Sequence, residues 1–447
     1  MTNGPRYSFF WRLIQAFSAT STCQLAGQTQ QLQLPTTQSA AKICGPWLCY
    51  IMRAPFCMKR NRPSRRIKQT PDTLRLIQLA TSLSESSSRM EDDFWEKQLT
   101  ALVMHLIASG AEETLMAALD PLYRETSPAY GALVSTIEAC AETRHAKTPD
   151  GLDVLMIAIP VLLWSRFPIP ANAISTAQLD AIRAHLQASV LASGTKLSLC
   201  DRLYSPDQIP QTYIDTAELM DKLAQAAKHD RDVKIDPKKM AETMSFLSDS
   251  RYLIGAVATP QGAAMFRWQE EGTSHAESTR QWTLQGSDLI RPLVPACALE
   301  LQPVGAYHAT VLDVDRASRP WSIRSTVAFL QTVLNLLPSD LVAVIARFHD
   351  DQTEEYRIGL ALRQEQTVVH GVVWPLLETE DNNNELSAEI ETVLQEAGIT
   401  QVIQLSQQFP IEYCDDCGTP LYPSPEGEPV HAELPEEQAE NTQRHLH

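Results

Sequence analysis

The sequence predicts an α+β or α/β protein, in which an N-terminal all-α helical domain is followed by a duplicated β-β-α-β domain. Two observations lead to this fold class. Apolar residues recur at steps of three and four between residues 71 and 250, the spacing of helices that bury one face. Short β-rich runs begin at residue 251, and their order then recurs further along the chain. A chain of 447 residues is long enough for such an arrangement of domains.

The composition excludes several classes of protein. With 44% hydrophobic and 20% charged residues, the chain has the composition of a globular protein rather than of a fibrous or disordered one. Its glycine content is low, 17 residues, and it contains no phosphate-binding loop, dinucleotide fingerprint or Gly-x-Ser-x-Gly elbow. The formal charge of −17 argues against nucleic acid and anionic membranes as partners.

The first 57 residues differ from the rest of the chain. They contain no acidic residue, since the first is Asp72, and they hold four of the nine cysteines. This composition is typical of a disordered leader, of an organelle presequence, or of a mis-annotated start with translation beginning at Met52 or Met58. We favour the mis-annotated start, because basic residues follow Met58 at once.

A basic arm, residues 58–70, comes next. Its run of basic residues begins with Lys59 and ends with Lys68, and such a run can contact a polyanion such as nucleic acid. Because no aromatic residues are interleaved for base stacking, a solvated tail is the preferred interpretation.

Residues 71–250 form the predicted helical domain. The longest apolar run, 154–164, contains Pro160 and is well short of the roughly 20 residues that cross a bilayer, so we interpret it as a buried helix and expect no membrane partner. Residues 195–203 alone look extended. The predicted helices cover 74–83, 94–107, 111–122, 129–145, 152–164, 176–191, 216–229 and 237–247.

Residues 251–412 form the predicted duplicated domain, with copies at about 251–348 and 354–409. Tyr252 begins a strand in the first copy that matches the strand beginning at Tyr356, and a helix followed by a strand recurs at a constant offset. The first copy carries an insertion at about 260–303. In one interpretation its aromatic and basic residues cover a ligand cleft: Trp268, His275, Trp282 and Arg291. In the other, the insertion is a surface segment without a function of this kind.

One motif has specific chemistry. Cys414-Asp-Asp-Cys417-Gly418 has the spacing of a zinc knuckle, in which two thiolates hold one tetrahedral ion. His431 lies close by in the sequence and is the best third ligand. The segment 413–432 is therefore predicted to bind zinc through Cys414, Cys417 and His431. The fourth ligand is open between another histidine, an aspartate of the motif, a distant cysteine and a second chain.

Two other uses of the cysteine pair compete with zinc. In a dithiol redox site the attacking thiol needs a lowered pKa, whereas Asp415 and Asp416 between the cysteines should raise it. The pair can also be two reduced cysteines in an ordered turn. The remaining cysteines of the body are isolated, which predicts a reducing, cytoplasmic location rather than a disulfide framework. Residues 433–447 are predicted to form an acidic disordered tail.

The chain resembles an uncharacterised bacterial family that is known only as a domain of unknown function. Four stretches together carry this resemblance: 413–423, 430–435, 89–95 and 203–207. The resemblance covers about residues 58–435 and includes the Cys-Asp-Asp-Cys-Gly motif. It implies a cytosolic bacterial protein and carries over Cys414, Cys417 and His431 as motif positions, without an activity. Residues 1–57 lie outside it, as a mis-annotated start requires.

These observations favour a cytosolic, non-enzymatic binding or interaction protein with a C-terminal zinc-knuckle-like turn. Its partner would be another protein or a second copy of the chain. The main alternative is an enzyme of unidentified reaction, with its site between the helical and α/β halves. A dithiol redox protein is the third hypothesis.

Overall fold

The structure is a computed structural model. It describes residues 70–434 apart from short gaps at 126, 147, 149–150, 166–168, 170–171, 242–247, 351–353, 378–379, 381–383 and 416–417. The predictions for the leader and for the arm at Lys59 and Lys68 lie outside the described residues, as do those for the tail after residue 434.

Nine α-helices occur in the part of the chain that the structure describes. None of them has an apolar stretch that could span a bilayer. Their bounds are α1 Pro71–Ser84, α2 Arg89–Ala108, α3 Glu112–Arg124, α4 Pro128–Glu142, α5 Thr176–Ser189, α6 Tyr213–Lys228, α7 His275–Ile290, α8 Tyr307–Leu334 and α9 Asn384–Glu396.

The strands form two larger sheets and one hairpin. The first sheet has the order β1-β2-β4-β3, with β5 and β6 also paired to β2, and the second has the order β10-β7-β8-β9. The strands are β1 Thr143–Arg144, β2 Leu152–Trp164, β3 Lys196–Tyr204, β4 Ser248–Pro260, β5 Ala298–Leu301, β6 Gly305–Ala306, β7 Leu341–His349, β8 Glu354–Leu362, β9 Val368–Pro375, β10 Gln401–Pro410, β11 Tyr422–Pro423 and β12 Pro429–Val430.

Helices α1 to α4 form a bundle around one core, which includes Leu76, Leu99, Leu115 and Leu133. Local signals start these helices. Ser88 precedes α2, and its side-chain oxygen accepts the N–H of Glu91, which satisfies one of the first-turn donors. The four helices of this bundle match the predicted segments closely.

The first sheet is covered on both faces. Helices α5 and α7 supply Leu186 and Trp282 to the core on one face. Helix α6 and the first half of α8 supply Leu223 and Val311 to the core on the other. Because both faces are buried, its central strands need apolar residues at successive positions.

The second sheet has a different cover on each face. One face packs against α9 and the second half of α8, with Leu330 and Ile390 in the shared core. The other face packs against the C-terminal hairpin β11–β12 through Tyr422. In this sheet β10 runs parallel to β7, and the remaining pairs are antiparallel.

Helix α8 belongs to both halves of the molecule. Its first half packs on the first sheet and its second half on the second, with Pro320 inside the helix between them. Arg319 lies at this junction, where its guanidinium binds Glu380 with N···O distances of 2.6 and 2.9 Å and donates to the Pro375 carbonyl. The single helix therefore joins the two cores.

The prediction that residues 152–164 are a helix is wrong. They form β2, and the predicted all-α domain 71–250 therefore also contains β3 and the first residues of β4. A run of apolar residues without alternation fits a strand buried on both faces as well as it fits a buried helix. Pro160 is tolerated because its backbone faces the β5–β6 side, where its carbonyl accepts the N–H of Gln302. The extended prediction for 195–203 is confirmed as β3.

The predicted repeat does not describe the sheets. Residues 252–258 lie in β4 of the first sheet, whereas 356–362 lie in β8 of the second, so the two copies are not equivalent. The strand expected from Tyr307 is the beginning of α8. Buried Tyr307, Thr310, Val311 and Val314 follow helical spacing there, and this packing overrides their preference for strands.

Part of the internal match does have a structural counterpart. The end of α8 followed by β7 corresponds to α9 followed by β10, and the two strands are parallel neighbours, with Val402 opposite Ala343. Val333 and Val393 both pack at the same core under these helices. The similarity is therefore one of two helix–strand units side by side in one sheet.

A buried carboxyl at the junction of the bundle and α8 predicts a pH dependence of stability. Glu142 accepts the N–H of His308 at 2.9 Å and so caps the first turn of α8. Burial raises the pKa of Glu142 to about 8, against the lowering effect of the N–H groups of His308 and Tyr307. Its contribution to stability is present below its ordinary pKa of 4.5 and is lost as the pH rises through about 8.

We expect Glu142→Gln to unfold less readily than the wild type at about pH 9, and to match it at about pH 6, because the amide keeps an acceptor and cannot ionise. Urea unfolding across this range measures the difference, with Glu113→Gln on the exposed face of α3 as the control. A wild-type stability that does not fall relative to Glu142→Gln as the pH rises would contradict this assignment.

Candidate functional site

The C-terminal hairpin rests on a surface of the second sheet that is shaped to receive it. Gly359 of β8 and Gly371 of β9 lie opposite each other in the ladder. A Cβ atom at Gly371 would overlap the ring of Tyr422, and one at Gly359 would overlap the carbonyl oxygen of Pro423. The two glycines therefore allow β11 to approach the sheet closely.

Arg357 fixes both ends of the turn that follows β10. Its guanidinium group is completely buried and donates from Nη1 to the carbonyl oxygens of Glu412 and Leu421, at 2.7 and 2.8 Å. Its Nε donates to Glu355 at 2.7 Å. One arginine therefore holds the two residues that bracket segment 413–420.

Aromatic rings enclose the same guanidinium group. Its carbon lies 4.4 Å from the ring centroid of Phe348 and 5.3 Å from that of Tyr413. Burial raises the pKa of the Glu355 carboxyl, although the nearby Arg357 charge acts in the opposite direction. The ion pair thus lies away from water, where removing either partner costs more than at the surface.

The turn that carries Cys414 is closed by backbone hydrogen bonds. The N–H of Cys414 donates to the carbonyl of Thr419 at 2.7 Å, and the N–H of Gly418 donates to the carbonyl of Cys414 at 2.8 Å. Gly418 has a φ of 73°, in the left-handed region that glycine adopts without strain. Tyr413 and Pro420 form a β-bridge across the base of the turn.

His431 faces this turn from the second strand of the hairpin. Its Nδ1 lies 3.2 Å from a carboxylate oxygen of Glu433, and its Nε2 lies 3.3 Å from the hydroxyl of Thr419. A carboxylate only accepts hydrogen bonds, so Nδ1 carries the proton and, in the neutral ring, Nε2 presents its lone pair towards the turn. The Nε2 atom thus accepts from the hydroxyl of Thr419, and a carboxylate at Nδ1 is also the usual partner of a metal-binding histidine.

Two of the three predicted ligands, Cys414 and His431, each contact Thr419 of this turn. Cys414 is the first residue of the turn, and His431 contacts Thr419, which closes the turn. Cys417 lies outside the described residues. Within the part of the chain that is described, no three His, Cys, Asp or Glu residues form a group that could hold a metal ion. The donor types present, one thiol and one imidazole, suit zinc.

The insertion 260–303 does not form a cover over a cleft. It contains α7, whose Trp282 is fully buried in the core of the first sheet and donates from Nε1 to the carbonyl of Gln302. Trp282 also stacks on His185 of α5, with the ring centroids 5.4 Å apart. Trp282 therefore fills a core and cannot cover a cleft, and half-buried Trp268 packs against the same core.

Sequence reasoning missed the residues that support the turn. Arg357 and two glycines interrupt otherwise apolar strands, and such interruptions are signals of close approach by another segment. Glu433 was assigned to an acidic tail, although it lies two residues after His431 and its N–H donates to the carbonyl of Val368. Its role depends on the hairpin, which has no sequence signal of its own.

Comparison with known proteins identifies a family but no individual relative. Residues 60–445 match the model of the family described as "Protein of unknown function (DUF2863)". The chain therefore belongs to this family. No curated protein and no solved structure matches the chain.

Proposed function

We propose that this member of the DUF2863 family is a non-enzymatic binding protein of the bacterial cytoplasm, whose C-terminal turn binds zinc through Cys414, Cys417 and His431. One observation carries the proposal. The Nδ1 atom of His431 is engaged by Glu433, so that Nε2 is directed to Thr419 of the turn that begins at Cys414.

The way the turn is held supports a binding role. Arg357 and the close approach at Gly359 and Gly371 fix the turn to a sheet, and ligands held on such rigid elements keep their geometry. Three protein ligands leave one tetrahedral position of zinc for a further donor. A side chain of a bound partner would fill that position, which links the metal to the interaction role.

The surroundings of Cys414 favour zinc over dithiol redox chemistry. A redox cysteine pair usually begins a helix, whose positive end stabilises the thiolate. Here the turn is followed instead by Pro420, which forms a β-bridge with Tyr413, and then by strand β11.

The enzyme hypothesis has one supporting observation. Glu142, Tyr307 and His308 converge where the bundle meets α8, which is between the two predicted halves. Burial lowers the pKa of His308 to about 3 and raises that of Glu142 to about 8, so both are neutral near pH 7. The contact between the Glu142 carboxyl and the N–H of His308 already has a structural purpose, the cap of α8. We therefore rank catalysis second.

Metal analysis tests the proposal. Wild-type protein is purified without chelator, and its zinc content is compared with that of the double variant Cys414→Ser/Cys417→Ser. We expect about one zinc per chain in the wild type and almost none in the double variant, because thiolates are the stronger ligands of such a site. Cys140→Ser/Cys297→Ser removes two cysteines elsewhere and serves as the matched control. Equal zinc content in wild type and Cys414→Ser/Cys417→Ser would refute the site.

A graded variant tests the role of Glu433. We expect Glu433→Gln to keep the zinc stoichiometry and to weaken zinc affinity about 10- to 100-fold, since the carboxylate orients the ring of His431. Competition with a chromophoric chelator measures the affinity. The exposed Glu426→Gln on the same hairpin should leave it unchanged. An unchanged affinity in Glu433→Gln would remove the observation on which the ligand role of His431 rests.

A further inference from the structure

Helix α2 is apolar on two opposite sides. Its inner side contributes Leu99 and Val103 to the core of the bundle. Its outer side exposes Met90, Phe94 and Met104 to 85%, 57% and 53% of their surface. Large apolar side chains at this exposure rarely line up on one helix of a soluble protein unless another surface covers them.

The outer residues follow the spacing of a helix-pairing seam. Successive members are four, three, four, three and four residues apart, the alternation found where two helices pack along their length. The seam extends for about 27 Å at 1.5 Å per residue. All its members are exposed: Met90, Phe94, Lys97, Ala101, Met104 and Ala108.

We propose that this seam binds the same seam of a second copy of the chain, with the two α2 helices antiparallel. The spacing is self-complementary in this orientation, because each large side chain meets a smaller or a flexible one. The layers combine Met90 with Ala108, Phe94 with Met104, and Lys97 with Ala101 of the other copy. Lys97 is the single charged residue of the seam, and such a residue sets register in helix pairs.

The acidic residues beside the seam select the antiparallel orientation. Glu91 and Asp93 flank its first turn, and His105 flanks its last turn. Parallel helices would place the two acidic ends together, and like charges at that spacing repel. In the antiparallel pair, Glu91 of one copy lies beside His105 of the other. A chain with a formal charge of −17 can associate along this seam because its central layers hold no acidic residue.

The size of the surface sets the expected strength. A stable dimer buries about 800 Å² on each partner, more than one helix seam supplies. We therefore expect a reversible dimer with a dissociation constant of about micromolar size rather than an obligate one. The dimer does not depend on zinc, so loss of the metal site leaves this proposal intact.

Sedimentation velocity of the full-length chain over a concentration series tests the association. We expect the wild type to move from monomer to dimer, and Phe94→Glu to weaken the dimer at least about tenfold because it buries an unpaired charge. Leu284→Glu changes an equally exposed leucine of α7, 65% exposed, and should behave as the wild type. A wild type that stays monomeric, or an equal loss in Leu284→Glu, would overturn the proposal. Circular dichroism of each variant checks that the helices remain folded.

Crosslinking tests the orientation. Under mild oxidation, Met90→Cys/Ala108→Cys should form a disulfide between copies, since the two positions share a layer of the antiparallel pair. Met90→Cys alone should not crosslink, because the two copies of residue 90 lie at opposite ends of the seam. Efficient crosslinking of Met90→Cys alone would show a parallel pair and overturn the antiparallel assignment.

Discussion

Replacing Arg357 by methionine should lower the free energy of unfolding by about 3–5 kcal/mol, because it leaves the buried carboxylate of Glu355 without its cation. The same change removes the donor to two carbonyl oxygens, those of Glu412 and Leu421. Buried acceptors that lose their donor add to the cost. Urea denaturation of the full chain measures the change.

The ionisation of Glu355 adds a second signature to this variant. Burial already raises the pKa of Glu355, and Arg357 is the residue that opposes this rise. A group with a raised pKa stabilises the fold at low pH and loses that contribution as the pH rises through its value in the folded state. The loss of stability in Arg357→Met should therefore be smaller at about pH 5 than at about pH 8.

Two variants control for this interpretation. Arg280→Met removes an ion pair whose side chains are 63% and 42% exposed, and it should cost less than about 1 kcal/mol. Adding Glu355→Gln to Arg357→Met should recover part of the loss, because the unpaired charge is then gone. A cost in Arg357→Met as small as that in Arg280→Met would show that the turn is not held by this arginine.

Adding one methyl group at Gly371 should destabilise the protein by about 2–3 kcal/mol and release the hairpin, because overpacked cores force side chains out of place. The methyl group of Gly371→Ala would overlap the ring of Tyr422, which is 4% exposed and has no free space on that side. Thermal and urea unfolding measure the stability. In the same variant, zinc affinity reports whether the turn has moved.

A double-mutant cycle identifies the cause of this effect. In a Tyr422→Ala background the ring is absent, so Gly371→Ala should cost far less than it does in the wild type. Gly131→Ala, in helix α4 with open space around its Cβ position, should stabilise the protein by up to about 1 kcal/mol. Additive costs at Gly371 and Tyr422 would mean that the two residues are not in contact.

The sequence was informative where structure depends on neighbours along the chain. Helices α1 to α4 follow from spacing and from caps such as Ser88, which are local features. Strand β2 could not be told from a helix, because burial on both faces removes the alternation that marks a strand. The order of the strands in the two sheets depends on contacts between distant segments. The similarity of residues 252–258 to 356–362 therefore led to a wrong prediction of equivalent strands.

In the candidate site, too, the local features were predictable from the sequence, whereas the contacts between distant residues were not. The cysteine pair is visible because its spacing alone has meaning. Arg357 is 55 residues from Glu412 and 64 from Leu421 in the chain, and no local pattern relates these residues. The contact of Glu433 with His431 is seen only in the fold, because the hairpin places the two side chains together. The sequence thus indicates ligands, whereas the residues that orient them need the fold.

The position of Arg357 along the chain has a consequence for biosynthesis. Arg357 is translated before Glu412 and Leu421, so its guanidinium lacks both carbonyl partners until segment 412–421 has been made. Docking of the hairpin β11–β12 is therefore the step that covers this face of the second sheet. A chain truncated before residue 412 would therefore leave the ion pair of Arg357 and Glu355 on a sheet face without its cover.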